Sequence, residues 1–424
     1  MDSKISSFTI SNGLTVIHTR RPNSLNVSMS LMVIAGSMYE SSEEIGVAHF
    51  LEHIVSDGTE KYPTEKRLAE LIDERGGARN AITNKETIEY VVKVLKEDSE
   101  IAFEYLSEIS IHPLIRDEDV QKQKKIIEQE IYRFKSDPEK FAQRLIYSAI
   151  FPDTRIGGLT TGDVDDVKRI SQSNILSYHY RTHCAKNMVL SVCGNISEEA
   201  VLVLARKYFG DLTSGEKLSP IDLHVVPKNE PMLQIMPDLK QAILAVGYQG
   251  FRSGDKDHYV ADILSVLLTR GKSSRLFYEI REKRALAYMV NSNNFNGRNI
   301  GVFTIQVGLA NDKVSECLEI IKTELKKVTS SDLPEVELNK ALAFIRSNIA
   351  FSFENSLFEA SYYSRLWCFT GIVQPIEREL DYYESIIHTP SLIQETAKKM
   401  FSVNPAVLII GQGTAQESQI RTNP

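Results

Sequence analysis

The chain of 424 residues has four cysteines, one tryptophan and no long apolar run. The cysteines lack C-x-x-C spacing, so we expect reduced side chains rather than disulfides or a cysteine-bound metal. No stretch approaches about 18 uninterrupted apolar residues, which argues against a transmembrane helix and a membrane partner. The N-terminal residues lack the basic-then-apolar pattern of a signal peptide and the arginine-rich pattern of a transit segment. We therefore expect a cytoplasmic protein.

Basic charge is also scarce, because 49 Lys and Arg residues face 56 Asp and Glu residues, for a net charge of −7. This balance argues against nucleic acid as a partner. The hydrophobic fraction of 42% and the charged fraction of 25% are ordinary for a globular protein. The length indicates two or more domains.

The most informative segment is His-Phe-Leu-Glu-His at 49–53. Apolar residues recur at helical spacing from 45 to 55, and Asp57-Gly58 ends the pattern, which predicts a helix. On that helix the two imidazoles and Glu52 share one face. Two neutral imidazoles at this spacing can bind zinc, and the carboxylate can act on a water molecule. Taken alone, the pattern also fits a helix with two surface histidines and a solvated glutamate.

A catalytic zinc ion needs a third protein ligand, because two histidines leave its coordination incomplete. The segment 116–135 predicts a helix with one apolar side, and Glu130 falls on that side while Glu128 falls on the other. A carboxylate that faces a core is costly unless it is paired or binds a metal. Glu130 is therefore a candidate ligand, and a salt-bridged core carboxylate is the alternative. We assign no ligand role to the other seven histidines and expect them to lie at the surface or to form hydrogen bonds, namely His18, His112, His179, His183, His224, His258 and His388.

These residues resemble the pitrilysin family of inverted-motif zinc proteases, in the branch of mitochondrial processing peptidase and its short bacterial relatives. In that family 76 residues separate H-x-x-E-H from the glutamate ligand, as residues 54–129 do here before Glu130. Three further stretches resemble family segments in order along the chain, namely 76–83, 187–195 and 274–288. The likeness therefore covers nearly the whole sequence.

The resemblance implies an α+β fold of two homologous α/β-sandwich domains, mainly antiparallel sheet covered by helices, which form one half of a clamshell. It implies one Zn²⁺ per chain, held by His49, His53 and Glu130. The ion would lower the pKa of its water and polarise the scissile carbonyl. Glu52 would be the general base in the hydrolysis of peptide bonds of unfolded peptides or presequences.

The resemblance also names residues that would contact substrate. Asn80, Ala81 and Thr83 would belong to an edge strand that pairs with an extended peptide. Arg281 and Tyr288 would grip the substrate carbonyl, although the neighbouring charges alone favour a solvated helix position for Arg281. A chain of this length supplies one half of the clamshell. The resemblance therefore implies a homodimer in which the active site is shared between chains.

One position departs from the family. Many relatives carry a second glutamate seven residues before the ligand, where this chain has Gln123. Glutamine can hydrogen-bond but cannot carry charge, which puts an acid–base role there in doubt. A non-catalytic subunit that binds peptides or scaffolds a complex is the alternative function, but such members typically lose a ligand or the base. A zinc-stabilised binding module would need a fourth ligand, and none is visible.

The chain also contains an internal repeat. Residues 260–266 align with 47–53 and keep the apolar positions, while the metal-site positions are lost, and Arg346 aligns with Glu130. We expect a catalytic zinc-binding domain at 1–215, a linker at 216–231 and a homologous non-metal-binding domain at 232–424. Within the first domain we expect a hairpin at 8–17, then strands at 27–34, 79–84, 86–95 and 188–193, and helices at 64–75, 98–110, 117–135, 138–150 and 197–208.

Overall fold

The computed structural model describes residues 5–221, 223, 231–330 and 333–412. These residues form two compact units, each built on its own sheet. The first unit contains the described parts of 1–132, 159–220 and 350–375. The second contains the described parts of 133–158, 221–349 and 376–424.

The sheet of the first unit has six strands among the described residues, in the order β1-β2-β6-β3-β5-β4. Numbered along the chain, they are β1 (Ile5–Thr9), β2 (Thr15–Arg20), β3 (Asn26–Val33), β4 (Ala78–Thr83), β5 (Ile88–Leu95) and β6 (Met188–Gly194). Neighbours are antiparallel except for β2 and β6. The predicted hairpin is confirmed, and its turn contains Gly13 at φ +100°. β4 is an edge strand that pairs with β5.

Eight helices lie in the described N-terminal half of the chain, namely α1 (Val47–Ile54), α2 (Glu65–Asp73), α3 (Ser99–Ile111), α4 (Asp117–Lys135), α5 (Pro138–Ile150), α6 (Val164–Arg169), α7 (Gln172–Thr182) and α8 (Glu198–Phe209). The predicted helices and strands of this half are confirmed to within about two residues outside the hairpin. α6 and α7 were not predicted. Both begin with a capping box, formed by Asp163 and Ser171, which is a signal readable in the sequence.

The second unit repeats the strand arrangement of the first. Its described strands are β7 (Met232–Ile235), β8 (Gln241–Gly250), β9 (Ala287–Asn296), β10 (Gly301–Ala310) and β11 (Ala406–Gly411), in the order β7-β11-β8-β10-β9. A parallel pair followed by three antiparallel pairings matches the run β2-β6-β3-β5-β4. By this correspondence β9 is the counterpart of the edge strand β4.

Six further helices follow in the described C-terminal half, namely α9 (Asp257–Thr269), α10 (Val314–Ser330), α11 (Glu335–Phe353), α12 (Ser356–Thr370), α13 (Ile376–Ile387) and α14 (Pro390–Phe401). α9 carries the degenerate copy of the motif, with Asp262 at the position that aligns with His49. The Asp262 carboxylate accepts hydrogen bonds from Asn294 Nδ2 at 2.9 Å and Tyr383 Oη at 2.8 Å. Burial raises the pKa of Asp262. In the second unit this position therefore supplies a hydrogen-bond acceptor to neighbouring side chains rather than a metal ligand.

Each half of the chain contributes one helix to the unit that is built mainly from the other half. Of the linker expected at 216–231, residues 222 and 224–230 lie outside the described part of the chain. α5 packs on β8 and β11 of the second unit, and α12 packs on β3 and β6 of the first. Gly247 of β8 allows the close approach of α5, since a Cβ there would lie 2.6 Å from a methyl group of Ile150. Hydroxyl pairs join α12 to β3, such as Ser30 with Ser364 at 2.7 Å. Each sheet thus gains cover on its second face from a distant part of the chain.

The structure bears on the few cysteines and the lack of long apolar runs noted in the sequence. All four cysteines are buried and free, as expected. In the described part of the chain, no helix is both long and apolar enough to cross a bilayer.

Candidate metal centre

α1 carries His49, Glu52 and His53, and its apolar face is buried in the core of the first unit. Val47, Phe50, Leu51 and Ile54 are fully buried. Their spacing leaves the face with the two histidines and the glutamate at the border of the core, where His49 is buried and Glu52 and His53 are partly buried. The predicted helix and the shared face of its three polar side chains therefore agree with the structure.

Glu40 holds the N-terminus of α1, a role that the sequence analysis missed. The buried Glu40 carboxylate accepts hydrogen bonds from the backbone N–H groups of Gly46 at 3.1 Å and Ala48 at 2.9 Å. It satisfies N–H groups that a helix start leaves unpaired and complements the positive end of the helix dipole. Gly46 has φ +88°, and a Cβ there would lie 2.6 Å from the Thr161 carbonyl oxygen. Both features fix the direction in which the helix leaves its loop.

Three ligand atoms converge between α1 and α4. The Nε2 atoms of His49 and His53 lie 3.6 Å and 3.4 Å from Glu130 Oε2. Tetrahedral zinc with bonds of about 2.0–2.1 Å separates its ligand atoms by about 3.3–3.4 Å. A direct charge-assisted hydrogen bond would bring the atoms to about 2.7–2.9 Å. The two imidazole–carboxylate separations therefore suit a zinc ion, and all three ligand atoms lie within 4.8 Å of one another. No other group of three or more His, Cys, Asp or Glu residues converges in this way among the described residues.

Glu130 does not face the core, and that prediction was wrong. Its side chain is 45% exposed, and the neighbouring Ile126 is 43% exposed. α4 buries a narrower stripe than its apolar pattern indicated, which includes Gln123, Ile127 and Ile131. Glu130 lies at the border of that stripe, so its carboxylate reaches the two imidazoles while solvent reaches the carboxylate. The alternative of a core carboxylate is excluded by the same exposure.

The charges at the site are strongly coupled. His49 and His53, which face the carboxylate, hold the pKa of Glu130 well below its usual range. Burial opposes a charge on His53, yet Glu130, Glu52 and Asp57 together raise the pKa of His53 above its usual value. Because a ligand histidine must be neutral, protons compete with a metal for His53 as the pH falls.

Asp57, just beyond α1, is tied to α4 by two hydrogen bonds. Gln123 Nε2 donates to Asp57 Oδ2 at 2.7 Å, and Lys122 Nζ donates to Oδ1 at 3.0 Å. Gln123 and Asp57 are both buried. A buried carboxylate needs donors, which an amide supplies and a second carboxylate would not. The hydrogen bond to Asp57 gives Gln123 a structural role. This role is consistent with glutamine at a position where many relatives have glutamate.

The predicted edge strand is β4, and α1 packs against it. Asn80 is exposed and Ala81 is half-buried, and they pair with Val91 and Tyr90 of β5. The Thr83 side chain is buried, so a contact of this residue with a peptide would involve its backbone. The structure thus places these three residues beside the helix that carries the histidines.

Arg281 and Tyr288 belong to the second unit and lie in an irregular segment. Arg281 is in a π-helical turn, Phe277–Glu282, and its guanidinium lies 5.0 Å from the centre of the Phe277 ring. Lys283 and Arg284 both pair with Glu279, whereas no carboxylate pairs with Arg281 among the described residues. π-helical turns are frequent at functional sites. The exposed Arg281 is thus distinguished from the charges around it.

Comparison with known proteins identifies the family. Residues 15–163 match the profile of insulinase (peptidase family M16), and residues 169–344 match the profile of the peptidase M16 inactive domain. An uncharacterized zinc protease of Rickettsia felis is 32% identical over 95% of this chain and 96% of its own length. The chain belongs to peptidase family M16. Another relative, an uncharacterized zinc protease of Bacillus subtilis, is 26% identical over 83% of this chain and 85% of its own length.

Solved structures share the M16 fold. A protease from Helicobacter pylori has a TM-score of 0.88 at 21% identity, over 96% of this chain and 99% of that one. A chain of complex III from Candida albicans has a TM-score of 0.84 at 16% identity, over 99% of both chains. The expected α+β fold is confirmed. M16 membership and the names of the two bacterial relatives support a zinc metallopeptidase.

Replacing Gln123 by glutamate should destabilise the metal-free protein and weaken zinc binding. Asp57 would lose a buried donor and gain a facing carboxylate, and losing such a hydrogen bond costs about 1–3 kcal/mol. We expect the melting temperature to fall by about 2–4 °C for each kcal/mol lost. Gln121→Glu, at an exposed position of α4, is the matched control. Equal melting temperatures for Gln123→Glu and the wild type would show that the hydrogen bond between Gln123 and Asp57 does not stabilise the protein.

Proposed function

We propose that the chain is a zinc-dependent endopeptidase that hydrolyses peptide bonds of unfolded peptides or presequences. The observation that carries the proposal is the convergence of His49, His53 and Glu130 at ligand separations, with Glu52 on the same helix face. Three ligands leave one coordination position open, as a catalytic site needs and a structural zinc site does not. One zinc ion per chain follows from the loss of these positions in the second half.

Zinc at this site would supply a Lewis acid that polarises the substrate carbonyl and lowers the pKa of water. Glu52 would accept the proton of the attacking water and deliver it to the leaving amine. Its position suits this task, because it is partly buried and follows His49 by three residues, nearly one helical turn. Its charge also acts on His53 and on the buried Tyr90, which indicates that it lies among the groups of the site.

Substrate would bind in extended form along β4. The strand is at the edge of its sheet, its Asn80 and Ile82 side chains are exposed, and α1 packs against it. Backbone pairing holds a peptide without selecting its sequence, so side-chain pockets would set the specificity. Asn80, Ala81 and Thr83 are the residues that we propose for this pairing.

Arg281 and Tyr288 would contact the substrate carbonyl near the position where negative charge develops. The guanidinium of Arg281, which pairs with no carboxylate among the described residues, and the phenol of the exposed Tyr288 are donors suited to that role. We propose that they act on the zinc site of a second copy of the chain, so that a homodimer forms two shared active sites. Contact between copies would then be a condition for activity.

The alternative is a non-catalytic M16 subunit. The similarity of fold to a chain of complex III is compatible with it, since a fold does not determine activity. Retention of three ligands and the base favours the peptidase, because a subunit that only binds peptides needs none of the four.

Glu52→Gln should abolish cleavage while zinc stays bound. Loss of a general base lowers the rate by about 100-fold or more. We expect about one zinc per chain in both proteins, measured by metal analysis, and cleavage of a quenched peptide library by the wild type alone. Glu43→Gln, at an exposed position before α1, should stay active. A zinc-loaded wild type that cleaves no peptide would instead support the non-catalytic alternative.

Mixing two inactive variants tests the shared site. After exchange of subunits, a Glu52→Gln chain and an Arg281→Ala chain together form one intact site in each mixed dimer. An equal mixture should therefore recover about a quarter of wild-type activity. Mixing Glu52→Gln with a chain that carries both substitutions is the control and should recover none. If the first mixture stays inactive although fluorescent labels show exchange, the site is not shared.

A further inference from the structure

The hydroxyl group of Tyr288 is already engaged within its own unit. It donates a hydrogen bond to Glu139 Oε1 at 3.0 Å. Glu139 is the second residue of α5, and its backbone carbonyl accepts a hydrogen bond from Gln306 Nε2 of β10 at 3.0 Å. The backbone of Glu139, whose carboxylate accepts the Tyr288 proton, is therefore bonded to the sheet on which Tyr288 lies.

The ring of Tyr288 is positioned independently of that hydrogen bond. Gly308 of β10 pairs with Met289, while the next residue, Leu309, pairs with Ala287, so Tyr288 is the extra residue of a β-bulge. A Cβ at position 308 would lie 2.3 Å from Tyr288 Cζ, so the ring occupies space that only glycine leaves free. Ala285 adds a positive φ of 51° shortly before the bulge. The backbone thus fixes the ring, and Glu139 fixes only the direction of the hydroxyl proton.

A phenol has one proton to donate, so two acceptors must compete for it. A carboxylate is a stronger acceptor than a peptide carbonyl, because its hydrogen bonds are assisted by charge. In accord with this, burial and the neighbouring Glu139 raise the pKa of Tyr288 to about 12. A substrate carbonyl can receive the Tyr288 proton only by displacing Glu139.

We propose that Glu139 sets the general affinity for peptides: it is the resting acceptor of the Tyr288 proton, which a peptide carbonyl must displace. The inference rests on the proposed function, in which Tyr288 contacts the substrate carbonyl. Glu139 then lowers the apparent affinity for every peptide by the same factor. Peptides that bind weakly through the rest of their length are therefore left largely unbound.

The kinetic test compares Glu139→Ala and Glu139→Gln with the wild type. Without the competing carboxylate, KM should fall by about three- to tenfold, with kcat nearly unchanged, because the competition is over once substrate is bound. Glutamine is a neutral acceptor and should give an intermediate KM. Glu377→Ala, also at the second residue of a helix, controls for the loss of a first-turn acid and should leave KM unchanged. Raised KM or lowered kcat in Glu139→Ala would overturn the inference.

A double-mutant cycle separates this role from a structural one. In a Tyr288→Phe background there is no proton to compete for, so Glu139→Ala should change KM by less than about twofold. A persistent decrease in KM in that background would show that Glu139 acts through another group, and the inference would fail.

The contact itself can be measured without activity. 3-Fluorotyrosine placed at position 288 should show a ¹⁹F resonance and a phenol pKa that both shift on Glu139→Gln substitution, and not on Glu377→Ala. Absence of the shift overturns the inference even if the enzyme cleaves peptides. A shift in a protein that cleaves no peptide rejects the proposed function, and with it the role of Glu139 in peptide affinity, while the contact stands.

Discussion

Two imidazoles and one carboxylate are held at a separation that is too long for direct hydrogen bonds and suited to a shared ion, and much of the first unit serves this arrangement. α1 is seated by fully buried apolar side chains and is capped by Glu40. α4 is bound to the end of α1 through Gln123 and Asp57. Each of these contacts removes freedom that would otherwise let the ligands collapse onto one another or separate.

The two halves of the chain share an order of strands but differ in the residues at corresponding positions. The order β2-β6-β3-β5-β4 recurs in the second sheet, but the position of His49 in α1 corresponds to a partly buried, hydrogen-bonded Asp262 in α9. The second half instead has a π-helical turn, a positive φ and a β-bulge within 277–289, where Arg281 and Tyr288 lie. Irregular backbone of this kind is costly and tends to persist where function requires it. Under the proposed function, the first half would hold the metal and the second half would supply the positioned donors.

Local signals in the sequence were sufficient to predict most helices and strands of the first half of the chain. α1 and α2 follow from helical spacing, and β5 follows from its β-branched and aromatic residues, signals that act over a few residues. Features set by distant contacts were beyond such signals. The exchange of α5 and α12 depends on how two sheets are covered, and the exposure of Glu130 depends on how wide a stripe α4 buries. The partner of Gln123 lies 66 residues away in the sequence, so spacing could not reveal it.

The central claim is that His49, His53 and Glu130 bind one zinc ion. Anomalous diffraction measured at the zinc edge, from crystals grown with zinc, tests it most directly. The account predicts one peak per chain, bonded to Nε2 of both histidines and to a carboxylate oxygen of Glu130 at about 2.0–2.2 Å. Zinc-replete crystals with no peak between α1 and α4, or with zinc bound only elsewhere, would contradict it.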